Sequence, residues 1–221
     1  MGVTTFITFT LMYFSGSIHI IPIESPDYLA WYLREAPVVL CFFGVLTFFK
    51  SVRHYIFSSF SLYPFKRFRT YVYIFLGLIA IYIIPNHLFH LDLKLTWIRL
   101  TSHFSAYPYV PNWQPIVYLI SVCVLIPIYE EALFRGLLFR FFAEKYNIWI
   151  SLIGTSLIFG SFHTGYVLYA AFMGAVFAGI YQLTKSLVPA MVCHGLFSLF
   201  VQIESHDVSI WQFLGGAVFQ Y

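Results

Sequence analysis

From Trp113 to Ala143 the chain reads WQPIVYLISVCVLIPIYEEALFRGLLFRFFA, and where a helix through this stretch ends decides the architecture. A helix stopping at Tyr129 is an ordinary membrane span with Glu130 and Glu131 at its wet edge. Gly136 to Phe142 is again almost wholly apolar, so the pattern predicts one helix continuing to about Ala143, with both glutamates near its middle. An acid at the centre of a bilayer costs about 2.5–3.5 kcal/mol on insertion scales. The pair is therefore a functional candidate by default. On such a helix Glu131 and Arg135 share a face, acid before base, while Glu130 is turned about 100° away. Glu131 is expected to be neutralised by Arg135, leaving Glu130 for other work. The competing account is a simple ion-pair knot at a helix end.

Working outward, 60% of the 221 residues are hydrophobic, 22% aromatic and 10% charged, against about 25% charged in an ordinary soluble domain. Mean hydropathy is +0.81. A water-soluble globule is excluded, and no separate soluble domain fits. Long uncharged runs occur at Gly2 to Ile23, about Ala36 to Phe49, Thr70 to Leu91, about Trp113 to Tyr129, Asn147 to Phe162, Tyr166 to Thr184 and Ser186 to Ile203. The expected fold is all-α, a polytopic transmembrane bundle of about seven spans. Residues 1–112 hold the N-terminal spans and loops, 113–203 the core that carries the chemistry, and 204–221 a C-terminal segment. The connection from Asp92 to about Asn112 reads as an interfacial loop.

The net charge of +3 comes from only 12 Lys and Arg, most of them between apolar runs, so nucleic acid is not an expected partner; the lipid bilayer is. Lys50, Arg53, Lys66, Arg67 and Arg69 lie between the second and third runs with no acid among them, a strong cytoplasmic marker. Alternate threading then puts the N-terminus inside, brings Arg135, Arg140, Lys145 and Lys185 to the same side, and leaves Arg34, Lys94 and Arg99 outside. The expected location is a multi-pass protein of a prokaryotic cell membrane. Cys41, Cys123 and Cys193 have no CxxC or metal spacing and read as small core hydrophobes.

Two further places break the apolar rule: Phe159-Gly160-Ser161-Phe162-His163 and Cys193-His194-Gly195-Leu196-Phe197-Ser198. Each histidine has a residue one turn away, Phe159 for His163 and Ser198 for His194. The run from Asn147 is expected to carry His163 near its outer end, above the level of Glu130. Gathered inward, two carboxylates, two histidines and an arginine suit hydrolysis. A carboxylate as general base for water, with histidines as donors, is one arrangement. A zinc set of Glu130, His163 and His194 with a metal-bound hydroxide is another. No HExxH is present, and a proton-coupled transporter using the same residue types is a third class of reading. Gly154, Gly160, Gly174 and Gly179 read as packing positions.

These residues carry a family resemblance. EEALFR fits Glu-Glu-x-x-x-Arg, FGSFH fits Phe-x-x-x-His, and SLVPAMVCHGLFS looks like the third motif of the CPBP (Abi) intramembrane proteases, which include type II CAAX prenyl endopeptidases and bacteriocin-processing or immunity proteins. The resemblance covers about Pro115 to Val201. It implies an endopeptidase acting on a membrane-associated, prenylated or membrane-anchored peptide substrate. By it Glu130 activates the water, Glu131 and Arg135 order the site, and His163 and His194 stabilise the oxyanion or hold water. The family is treated both as metal-free and as metal-dependent. No cofactor is assigned here, and zinc is the alternative. The third motif usually carries Asn or Asp where this chain has Ser198, and a hydroxyl does not reproduce the two-group reach of an amide. That departure motivates the alternative of a decayed interaction or immunity protein of the same fold.

Overall fold

The structure is a computed structural model that describes residues 39, 40, 42–88, 114–163 and 166–205. The first apolar run, Cys41, the loop expected between Asp92 and Asn112 and nearly all of residues 204–221 lie outside these. Helical residues 42–48 lead through Phe49 into α1 (Lys50–Phe57) and a short 3₁₀ turn (Tyr63–Lys66). There follow α2 (Phe68–Leu88), a long composite helix α3, then α4 (Ile148–Ser161), α5 (Val167–Thr184) and α6 (Leu187–Ser205). No strand occurs among the described residues. All five apolar runs from Thr70 onward become helices. Among the described residues three are long and apolar enough to cross a membrane, within Phe68–Pro85, Ile116–Lys145 and Val167–Thr184, and two are shorter.

The helix through the decisive stretch does continue past the glutamates. It is built as Gln114–Ile120, a wide π stretch Ser121–Leu125, Ile126–Glu131, a second π stretch Ala132–Phe139, and Arg140–Lys145. Its apolar part, Ile116–Lys145, has 30 residues, about 45 Å at 1.5 Å each, against about 30 Å of hydrocarbon. Glu130 and Glu131 sit at its midpoint. Pro127 gives the first wide turn a cause, because its ring cannot coexist with a normal helical bond to the carbonyl four residues back. That carbonyl belongs to Cys123.

α4 starts two residues after Tyr146, capped by Asn147, whose side chain accepts from Ile150 N at 2.9 Å. Trp149, Ile150, Ile153 and Leu157 are exposed on one face, while Ser151, Thr155, Ser156, Phe159 and Gly160 are buried on the other. The three hydroxyls donate to carbonyls one turn back, which lets polar side chains sit inside an apolar bundle. Phe134 meets Phe159 and Phe162, and Phe142 lies beside Gly154, so α3 and α4 run antiparallel with Glu130 and Glu131 level with His163. His163 is therefore not at an outer end. With 14 residues, about 21 Å long, α4 ends level with the middle of the 30-residue apolar part of α3.

One polar knot at the end of the bundle sets the heights of the other helices. Arg140 donates to the Tyr55 carbonyl and to Ser58 Oγ and Ser59 Oγ, the latter two at 2.9 Å, with its guanidinium over the Tyr55 ring. Tyr55 donates to Glu144 at 2.7 Å, and burial together with that bond pushes its phenol above the usual range. Ser59 reaches Tyr181 on α5, Leu187 N donates to Ser59 O, and Ser186 Oγ donates to Ser61 O. The turn between α5 and α6 is made by Lys185 in the left-handed region, φ 55. Counting inward from this knot, Glu131, Gly174 and His194 all stand about 10–14 Å away along their helices. The same contacts gather Arg140, Lys145 and Lys185 at the end that holds the basic α1–α2 connection, whereas Arg135, which the threading grouped with them, is fully buried in the middle of its helix, where Glu131 and the Gly174 carbonyl hold it.

Of the four glycines read as packing positions, Gly160 and Gly174 meet tight neighbours, Gly154 makes an ordinary contact with Phe142, and Gly179 faces open space. A Cβ at Gly160 would lie 2.5 Å from Val167 O and 2.9 Å from Ala171 N. Backbone cannot yield as a side-chain tip does, so Gly160→Ala is expected to destabilise by about 1–3 kcal/mol, read as a lowered midpoint of thermal unfolding in detergent. An unchanged midpoint would contradict the α4–α5 packing.

Candidate active site

The centre of the bundle is organised around one carboxylate oxygen. Glu131 Oε1 accepts from Arg135 Nη1 at 2.8 Å, as the four-residue spacing expects, and from His194 Nδ1 at 3.0 Å. Glu131 and Arg135 are fully buried, His194 is 4% exposed and Glu130 9%. Because a carboxylate facing Arg135 can only accept, His194 carries its proton on Nδ1 in this contact. Its other nitrogen, Nε2, stands 3.8 Å from Glu130 Oε2. That is longer than a hydrogen bond and short enough for one small molecule to touch both atoms.

Arg135 is held from every side. Its second terminal nitrogen donates to Gly174 O at 2.7 Å, and its guanidinium lies 4.8 Å from the Phe159 ring centroid, 5.6 Å from Phe177 and 5.8 Å from Phe134. A Cβ on Gly174 would come within 3.3 Å of both Arg135 Nη2 and Phe159, so the small residue makes room for the cation. Three aromatic faces supply the attraction that desolvation removes. Glu131 Oε2 and Arg135 Nε are buried with no hydrogen-bond partner among the described residues.

The two histidines are oriented by different means. His163 Nδ1 donates to Phe159 O at 2.8 Å, and its ring lies 4.5 Å from the Phe159 ring. The residue one turn back therefore contributes both its carbonyl and its face. His194 is stacked on Phe177 at 4.6 Å and 17°, with Phe159 edge-on at 6.0 Å. Gly195 lets α6 come this close: a Cβ there would run into the Cys123 carbonyl of the first π stretch. Proline, wide turn and glycine together bring His194 against Glu131.

The structure thus brings together Glu130, Glu131, Arg135 and His194, with Phe159 as the wall that joins them to His163. Ser198 is half-buried, and His194 bonds Glu131 instead of Ser198. The sequence reading did not single out Phe177 or the carbonyl of Gly174. Their position three apart on α5 is a weak signal in so aromatic a chain. Among the described residues no three His, Cys, Asp or Glu side chains are gathered so as to hold a metal ion; with Nδ1 bonded to Glu131, the nitrogen of His194 that faces Glu130 is Nε2.

This buried cluster of Glu, His and Arg lies within the segment that comparison with known proteins matches to a family. Residues 112–200, the segment holding every one of these side chains, match the family described as Type II CAAX prenyl endopeptidase Rce1-like, so the recognition made from the three motifs stands. The chain is also similar to the UPF0177 protein YbdI of Lactococcus lactis subsp. lactis (strain IL1403), 31% identical over 99 residues, covering 43% of this chain and 51% of that protein. The chain thus spans about half the length of this curated relative. No solved structure matches.

Removing one member of a buried pair strands the other charge, so Arg135→Met is expected to cost about 3–5 kcal/mol. Adding Glu131→Gln to that variant should recover part of the loss, checked by thermal unfolding. Equal stability of the single and double variants would deny that the two side chains are paired.

Proposed function

We propose that this chain is an intramembrane endopeptidase in which Glu130 primes a water against a peptide bond. The observation that carries the reading is the orientation of His194. With Nδ1–H given to Glu131, its Nε2 is turned to Glu130 across 3.8 Å. Glu131 and Arg135 act through His194 by fixing its tautomer and ring position. The match to a family of prenyl endopeptidases over residues 112–200 supports the reaction class.

In this mechanism a water is held by Glu130 Oε2 and by the lone pair of His194 Nε2. Glu130 takes one proton as the oxygen attacks the scissile carbonyl. The C–N bond then breaks, and the proton on Glu130 passes to the leaving amine, so that the acid product and amine account for all atoms of the water. His163 also presents Nε2 as a lone pair while Nδ1–H is given to Phe159. Protonated on both ring nitrogens, with Nδ1–H still given to Phe159 O, it is a donor for the oxyanion. Burial among Phe134, Phe159 and Phe177 limits bulk water and strengthens each of these interactions. The substrates we assign are membrane-associated or lipid-modified peptides: prenylated tails, leader peptides or membrane-anchored sorting signals. They approach laterally or from the basic end, which we take as cytoplasmic.

Purified protein with fluorogenic prenylated and leader peptides tests this. Glu130→Gln is expected to lower kcat by roughly a hundredfold or more with little change in KM or thermal stability, whereas Phe177→Leu should lower kcat less and Phe177→Tyr restore it. Undiminished cleavage by Glu130→Gln would remove Glu130 from its role. Inhibition by chelators that zinc reverses would transfer the water to a metal.

A further inference from the structure

Among the described residues the α1–α2 segment at the basic end of the bundle contributes cations and no acid. Residues 39–88 contain Lys50, Arg53, Lys66, Arg67 and Arg69 and not one Asp or Glu. All five are exposed, and none is in an ion pair with a described residue. The nearby acid, Glu144, is occupied by the Tyr55 hydroxyl. Arg53 turns back to the carbonyls of Leu46 and Thr47 at 3.1 and 3.2 Å. Lys66 and Arg67 rest over the Tyr63 ring at 5.8 and 5.1 Å. Beside these cations Leu62, Tyr63 and Phe68 are 72%, 57% and 82% exposed.

We propose that this α1–α2 surface is a binding site for anionic phospholipid headgroups. Cations alone fit any polyanion, but here they alternate with large apolar side chains that water would penalise. A leaflet satisfies both at once: phosphates meet Lys66, Arg67 and Arg69, while Leu62, Tyr63 and Phe68 enter the headgroup and acyl boundary. A soluble acidic protein would pair the charges and leave the apolar side chains to find a second partner. The site is also tied to the rest of the bundle, since Ser59 and Ser61 in the same connection bond Arg140, Tyr181, Ser186 and Leu187. Headgroups held here brace the knot from which α3, α5 and α6 take their register. This inference is independent of the peptidase reading.

The test places the purified chain in nanodiscs of phosphatidylcholine alone and of phosphatidylcholine with phosphatidylglycerol, at low and high salt. Thermal midpoint and lipid retained by native mass spectrometry are read. Wild type is expected to gain several degrees from phosphatidylglycerol, a gain that salt reduces. K66Q/R67Q/R69Q should match wild type in phosphatidylcholine, lose most of the gain and retain phosphatidylglycerol roughly tenfold to a hundredfold less well. Should that triple variant fail to fold, K50Q/R53Q gives the same comparison on α1. An equal gain in the variants, or no preference of wild type for phosphatidylglycerol, overturns the proposal. So does stabilisation by a soluble acidic peptide where phosphatidylglycerol gives none, which would reassign the surface to a protein partner.

Discussion

A single carboxylate oxygen, Glu131 Oε1, is shared between a guanidinium from its own helix and an imidazole from α6. In the apolar interior neither cation nor carboxylate tolerates isolation, so each fixes the others: Arg135 cannot leave without stranding Glu131, and His194 cannot turn over without losing its donor contact. Through Arg135 the same oxygen is tied to the Gly174 carbonyl on α5 and to the aromatic faces of Phe134, Phe159 and Phe177. Helices α3 to α6 thus converge on it. What they present as a result is the opposed pair of Glu130 and His194.

Much of this was legible in the chain because ionisable residues in lipid are costly enough to stand out individually. The continuation of the helix past Glu131 and the Glu131–Arg135 pair follow from hydropathy and spacing; the meeting of His194 with the glutamates was legible only on the condition that the polar faces turn inward. The Phe159 carbonyl as the partner of His163 follows from the four-residue interval. The relation between Gly195 and Cys123 was not legible, since it depends on a proline freeing a carbonyl in one helix and a missing Cβ in another, 72 residues apart. Phe177 was hidden for a different reason: among 26 phenylalanines nothing local distinguishes one that stacks on a histidine. The height of His163 was misjudged because hydropathy reports that a run is apolar, not where tertiary contacts stop it.

The polar knot at Arg140 and the site at Glu131 divide the work. The knot joins side chains that lie near water and sets the vertical register of the helices, so its polarity is inexpensive. The site uses fully buried groups, two of them with atoms that make no hydrogen bond among the described residues, and it depends on the knot to keep these in line. Small residues at Gly160, Gly174 and Gly195 bring the backbones together at the level of the site and beyond it.

The brevity of α4 has a consequence for the surrounding membrane. Its outer face, with Trp149, Ile150, Ile153 and Leu157 turned outward, offers about 21 Å of apolar height where the bilayer supplies about 30 Å. Lipids alongside it must compress or tilt to cover that face, a hydrophobic mismatch confined to one flank of the molecule. The flank adjoins the helix end that carries His163. A bilayer matched to that face would bring its headgroups closer to the His163 end of the helix than along a flank of full span length.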